Sequence, residues 1–189
     1  MAVEEIFSII STHMAKGLKI HNQLATAFSF LNLCGYKKCH EYHFFEESYN
    51  YRCLNNFYLD NYNKIIIENV IEEVNIIPNH WYRHLKEEVD ANTKRAAIKD
   101  LTKIWVEWET ETKTLLETKY KELYELGEIC GALEIAKYIK DVSQELNIAH
   151  QAQIDLDSIG YDISLIVDRQ ETLYKKYQKK IKKIYEDDV

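Results

Sequence analysis

At 189 residues the chain has room for one domain with a sizeable core and too little for two. Five glycines and one proline would leave a β-rich fold short of its usual turn residues, so the composition reads as mainly helical. A formal net charge of -7 argues against a general nucleic-acid binder and for a solvated acidic surface.

No uninterrupted apolar run approaches the roughly 18–20 residues that span a bilayer, so no membrane insertion is expected. The amino terminus, Met1-Ala2-Val3-Glu4-Glu5, is acidic where a secretory leader would be basic, and the expected location is cytoplasmic. Cys34, Cys39, Cys53 and Cys130 show no paired C-x-x-C spacing and are expected to remain thiols.

The first element, about 3–33, carries Ile6, Ile10, Met14, Leu18, Leu24, Phe28 and Leu31 at three- and four-residue steps, the pattern of an amphipathic helix. Gly17 and His21 fall on or beside that stripe, with His13 one turn earlier. His21 reads as a hydrogen-bonded core or boundary histidine, with metal ligation as the alternative. Gly35 can take the left-handed conformation that closes a helix, so the chain is expected to reverse there.

A second helix follows over about 37–61. His40, His43 and Glu47 sit at i, i+3 and i+7, with Glu46 three residues after His43, so these groups can share a face and hold one ion from adjacent turns. The plainer account is an exposed polar face with an ion pair, and it is the one expected for His40.

Residues 63–90 read as a crossover, with a short helix over Lys64–Val74 and a new segment starting at Pro78. Within it His80, His84 and Glu88 have a spacing that can clamp a cation, although a capped surface helix explains them as well. The third helix, about 91–126, turns Ile98, Leu101, Trp105, Trp108, Leu115, Tyr120 and Leu123 inward. Glu109 leans into the bundle with them. Gly127 and Gly131 bracket the next bend, and a fourth helix over about 132–158 has Ile135, Ile139, Val142, Leu146, Ala149 and Leu156 as its core stripe, edged by Asp141, Glu145 and His150.

After Gly160 a carboxyl-terminal helix, about 161–186, places Leu173, Tyr177, Ile181 and Ile184 on one face. The other face holds Lys175, Lys176, Lys179, Lys180, Lys182 and Lys183, a solvated cationic stripe open to an acidic partner. Nucleic acid is not expected as a partner, that basic helix aside.

Two antiparallel helical hairpins joined by a long crossover, with an extra terminal helix, resemble the ferritin-like superfamily: an all-α four-helix bundle in a single domain. Locally, the stretch from Gly35 to Tyr49 is similar to the start of the second helix in ferritins and their DNA-protecting starved-cell relatives. Leu126-Gly127-Glu128, with the apolar pattern through Tyr138-Ile139 to Gln144-Glu145, resembles the turn and fourth helix of a ferritin.

The resemblance implies a two-metal centre of inward carboxylates with a Glu-x-x-His pair, and the pattern here is incomplete. Glu109 and Glu145 match the third- and fourth-helix carboxylates, with Glu107 and Asp141 as the alternative register. Setting Gly35 on the family's interhelical glycine puts Gly17 at the first carboxylate and Asn50 and Cys53 at the Glu-x-x-His pair. Phe30 and Tyr42 stand near the positions of the starved-cell relatives' intersubunit histidines. A one-turn shift instead brings His21, His43 and Glu46 or Glu47 toward Glu109 and Glu145.

Two readings follow. In the first, the bundle is a binding or interaction module that has lost its metals, has no cofactor, and uses tyrosine- and lysine-rich surfaces to engage a protein partner or itself. In the second, His21, His43, Glu46, Glu47, Glu109 and Glu145 bind iron or manganese, for iron handling or a diiron oxidase. The first is the expected one, with no enzymatic activity.

Overall fold

A computed structural model describes residues 2–70, 90–165 and 167–187. Helices α1 (Val3–Phe30) and α2 (Cys34–Tyr62) form one antiparallel hairpin, and α3 (Ala91–Glu125) and α4 (Ile129–Ser158) form another. A 3₁₀ turn at Ile163–Leu165 leads into α5 (Val167–Asp187), which packs against α2. No strand occurs among the described residues.

The first hairpin does not turn at Gly35. Asn32 takes the positive φ of 58°, and Leu33 N–H bonds back to the Phe28 carbonyl at 2.9 Å, a closure in which asparagine replaces the more usual glycine. Gly35 lies in the first turn of α2, where its missing side chain admits another helix: an added Cβ would stand 2.5 Å from the Gln170 carbonyl oxygen of α5. Gln170 also caps α2 from that distance, its Oε1 accepting from Gly35 N–H at 2.7 Å and Tyr36 N–H at 3.3 Å. The second hairpin closes as expected, on Gly127 with φ 77° and a bond from Glu128 N–H to the Leu123 carbonyl.

Two other boundaries differ from expectation. Residues 65–70 form no helix, and their polar groups pair with α1: Ser8 Oγ donates to the Ile67 carbonyl, and Thr12 Oγ1 accepts from Asn69 N–H at 2.9 Å. α5 starts at Val167 rather than 161, since Asp162 accepts from Ser164 N–H and pairs with Arg95 at 2.7 Å, holding a turn. The His80, His84 and Glu88 spacing lies outside the described residues.

The interior divides into two apolar clusters. One gathers Leu24, Phe28, Tyr36, Ile98, Leu101, Trp105, Ala149 and Tyr177, and the other Ile6, Phe7, Ile10, Leu54, Tyr58, Leu116, Leu123 and Ile135. Along α1 the residues between the two are His13, Gly17 and His21, and along α2 they are His40, His43 and Glu47. A polar layer thus separates two dry cores at mid-bundle.

Candidate metal centre

Every helix of the four-helix bundle contributes to that layer. α1 brings His21, α2 brings His40, His43, Glu46 and Glu47, α3 brings Glu109, and α4 brings Glu145. His21, His40 and Glu109 are fully buried, and His43 and Glu145 nearly so. Such groups are found inside a protein only when other groups or ions compensate them.

Their ligand atoms converge in two sets. Atoms of His21, Glu109 and Glu145 lie within 4.8 Å of one another, and so do atoms of His43, Glu46 and Glu145, so Glu145 belongs to both. His21 Nε2 stands 3.5 Å from Glu109 Oε1 and 3.5 Å from Glu47 Oε1, while His43 Nδ1 is 3.4 Å from Glu145 Oε1 and 3.6 Å from Glu46 Oε2. These separations are long for hydrogen bonds and suit atoms that share a cation. Among the described residues, His21 Nε2, His43 Nδ1, Glu47 Oε2 and Glu109 Oε2 find no hydrogen-bond partner despite their burial.

Glu47 reaches His21 by crossing the α1–α2 interface over Gly17. Any side chain at residue 17 would overlap its carboxylate. The helix pair therefore supplies its carboxylate from α2 at the place where the family resemblance puts a first-helix acid.

A surrounding shell orients these groups. Trp105 Nε1–H donates to Glu109 Oε1 at 3.1 Å, and Tyr42 Oη–H donates to Glu46 Oε1 at 2.7 Å. His40 Nδ1 lies 3.1 Å from His21 Nδ1, its ring stacked on Phe28 at 5.3 Å and edge-on to Trp105 at 4.5 Å. From α5, Tyr177 packs its ring 6.1 Å from that of His43.

The electrostatics record crowded negative charge. Burial, with Glu145 beside it, pushes the Glu109 carboxyl well above the usual range, and burial raises Glu145 in spite of His43. Burial would lower His43, but the Glu145 carboxylate and Cys39 together outweigh it and raise the imidazole well above its ordinary value. Burial also acts against ionised Glu46, yet the adjacent His43 imidazole and the Tyr42 hydroxyl bond hold it at about 2. His40 goes the other way, lowered by burial and by His21 and His43.

A small cavity of about 30 Å³, room for roughly one water, adjoins the layer and is lined by Glu47, Glu145, Asn50, Asp141, His13 and Thr112 among others. His13 is held there by Thr112 at 2.9 Å and by stacking on Trp108 at 4.3 Å, and burial lowers its pKa to about 4.

In fold, the chain is similar to two solved structures from the archaeon Archaeoglobus fulgidus. Against an open-pore ferritin the TM-score is 0.73 at 12% identity, covering 90% of this chain and 93% of that one. Against a ferritin engineered into a closed form it is 0.72 at 12% identity, covering 92% and 96%. The fold is ferritin-like. No family model and no curated protein sequence matches the chain.

Within this ferritin-like bundle the one-turn-shifted set is the one that meets: His21, His43, Glu46, Glu47, Glu109 and Glu145 face one another. The alternative register does not, because Glu107 points to solvent, 63% exposed. Asp141 and Asn50 line the neighbouring cavity, and Cys53 is a free thiol. His40, expected on an exposed face, is instead fully buried. Its position three residues before His43, on the face that continues to Leu54 and Tyr58, was the available signal, since i, i+3 neighbours share a helix face. The spacing of Trp105 predicts only a core residue, and nothing in it announces the bond to Glu109.

No described helix is long and apolar enough to cross a membrane.

Proposed function

We propose that the chain is a ferritin-like non-haem metal protein that binds two iron or manganese ions at mid-bundle and handles iron there, through a centre displaced by one helical turn from the family pattern. The observation that carries this reading is that two ligand sets from opposing hairpins share one carboxylate, Glu145. A bridging oxygen ligand is what a closely spaced pair of cations requires.

The donor set fits such ions. Glu46, Glu47, Glu109 and Glu145 would balance two divalent cations, and hard carboxylates with imidazole suit iron and manganese. Iron held by these residues would supply one-electron redox chemistry toward dioxygen. The protein's part is to hold Glu145 between the two sets and to fix Glu109 and Glu46 through Trp105 and Tyr42. Apolar cores flank the layer on either side.

The test is metal content after incubation with ferrous iron, measured on the parent and on a Glu109→Ala, Glu145→Ala double variant. Two ions per chain in the parent, lost in the variant, are expected. Parent protein that emerges metal-free would favour the interaction-module reading, which draws on the exposed Lys179, Lys182 and Lys183 of α5. Self-association is part of the proposal, and light scattering distinguishes a large shell from a monomer or dimer.

A further inference from the structure

We propose that His40 is a positioning residue for this centre: it accepts a hydrogen bond from His21 Nδ1–H and so fixes His21 in the tautomer that presents Nε2 as a ligand. The inference rests on the metal reading above and adds a residue outside both ligand sets.

The geometry leaves little choice. His21 turns Nε2 toward Glu47 and Glu109, each 3.5 Å away, and turns Nδ1 toward His40 Nδ1 at 3.1 Å. A bond between two nitrogens needs one hydrogen between them. If Nε2 is to offer a lone pair to a cation, that hydrogen belongs to His21, and His40 accepts. With the hydrogen on His40 instead, His21 would carry N–H at Nε2 and aim it at the two carboxylates, which blocks ligation.

His40 is held for this task. Its ring lies parallel to Phe28, at 4° and 5.3 Å, and Trp105 abuts it edge-on at 4.5 Å. Trp105 at the same time bonds Glu109, so one aromatic wall steadies a histidine on α2 and a carboxylate on α3. Ligand histidines are often oriented by a carboxylate. Here a neutral imidazole does it, which adds no fifth negative charge to Glu46, Glu47, Glu109 and Glu145.

The experiment titrates cobalt(II) into the parent, His40→Phe and His40→Asn, and reads affinity together with the ligand-field absorption of the bound ion. Asparagine can place an acceptor oxygen near the position of His40 Nδ1, and phenylalanine cannot. Expected are a loss of about 10–100-fold for His40→Phe, with a shifted spectrum, and recovery of most of both in His40→Asn. Nitrogen-15 NMR of the zinc-loaded parent needs no variant to fold: it should find the His21 proton on Nδ1 and the His40 proton on Nε2. A His21 proton on Nε2 in that sample, or a His40→Phe protein with parental affinity and spectrum, would overturn the proposal while leaving the metal centre intact. A parent that takes up neither cobalt nor zinc removes the metal reading, and this inference with it.

Discussion

The carboxylate of Glu47, on α2, occupies the space that the first carbon of a side chain on Gly17, on α1, would need. The absence of one residue's side chain is thus what lets the other cross the helix interface and reach His21. A ligand position that looks deleted when α1 is read alone is filled from the neighbouring helix.

Gly17→Ala separates function from stability at this contact. Alanine favours a helix interior by up to about 1 kcal/mol over glycine, and Glu47 is flexible enough to swing aside. The metal-free variant is expected to melt within a few degrees of the parent, while its metal affinity drops at least tenfold. Calorimetric metal titration beside a thermal scan checks both. Unchanged affinity would mean that Glu47 is not a ligand.

Helix number, hairpin pairing and the buried stripes follow from apolar periodicity, so Leu24, Phe28, Ile98 and Leu123 fall inside as expected. The hairpin turn at Asn32 and the non-helical run after Asn63 are less legible, because they depend on distant partners, Gln170 for Gly35 and Ser8 and Thr12 for Ile67 and Asn69. The site was half legible for the same reason. Spacing puts His43 and Glu46 on one face of α2, but only packing shows that Gly17 makes way for Glu47 and that His40 lies against Phe28 and Trp105.

Because Glu145 serves both ligand sets and Glu46 and Glu109 one each, single variants should not be equivalent. Glu46→Ala and Glu109→Ala are each expected to retain about one ion per chain, and Glu145→Ala none. Elemental analysis of protein loaded under identical conditions reads this directly. Equal losses in all three would contradict a shared bridge.

The metal-free protein should lose stability as pH rises above about 6.5. His43 is raised above its unfolded value, so its contribution is complete below that pH and disappears as pH climbs through its folded value. Glu109 is also raised, so the folded state holds a proton that the unfolded chain has already released, and stability again falls with rising pH. His13 and His40 are lowered, and their cost appears only below about 6.5, where the unfolded chain gains protons that the folded one refuses. Glu46 matters only in acid, between its unfolded value and about 2. Each such proton gives a slope of about 1.4 kcal/mol per pH unit. Melting temperatures between pH 6.5 and 8.5 should therefore fall in the metal-free protein and stay nearly level once metal is bound.

Docking of α5 depends on Gly35, and a methyl group there would meet backbone rather than a yielding side chain: 2.5 Å to the Gln170 carbonyl oxygen and 2.9 Å to its Cα. Gly35→Ala should therefore push α5 outward and weaken the bonds by which Gln170 caps α2, at a net cost of about 1–3 kcal/mol. The damage should spare the second apolar cluster, which holds no residue of α5. Hydrogen exchange resolved by segment is the suitable measurement, with faster exchange expected in residues 167–187 and in the first turn of α2. Tyr177, which packs against His43, moves with α5, so metal affinity should fall along with that protection. Parental exchange rates across α5 would show that the helix is held by Leu173, Tyr177 and Ile181 alone, with Gly35 replaceable.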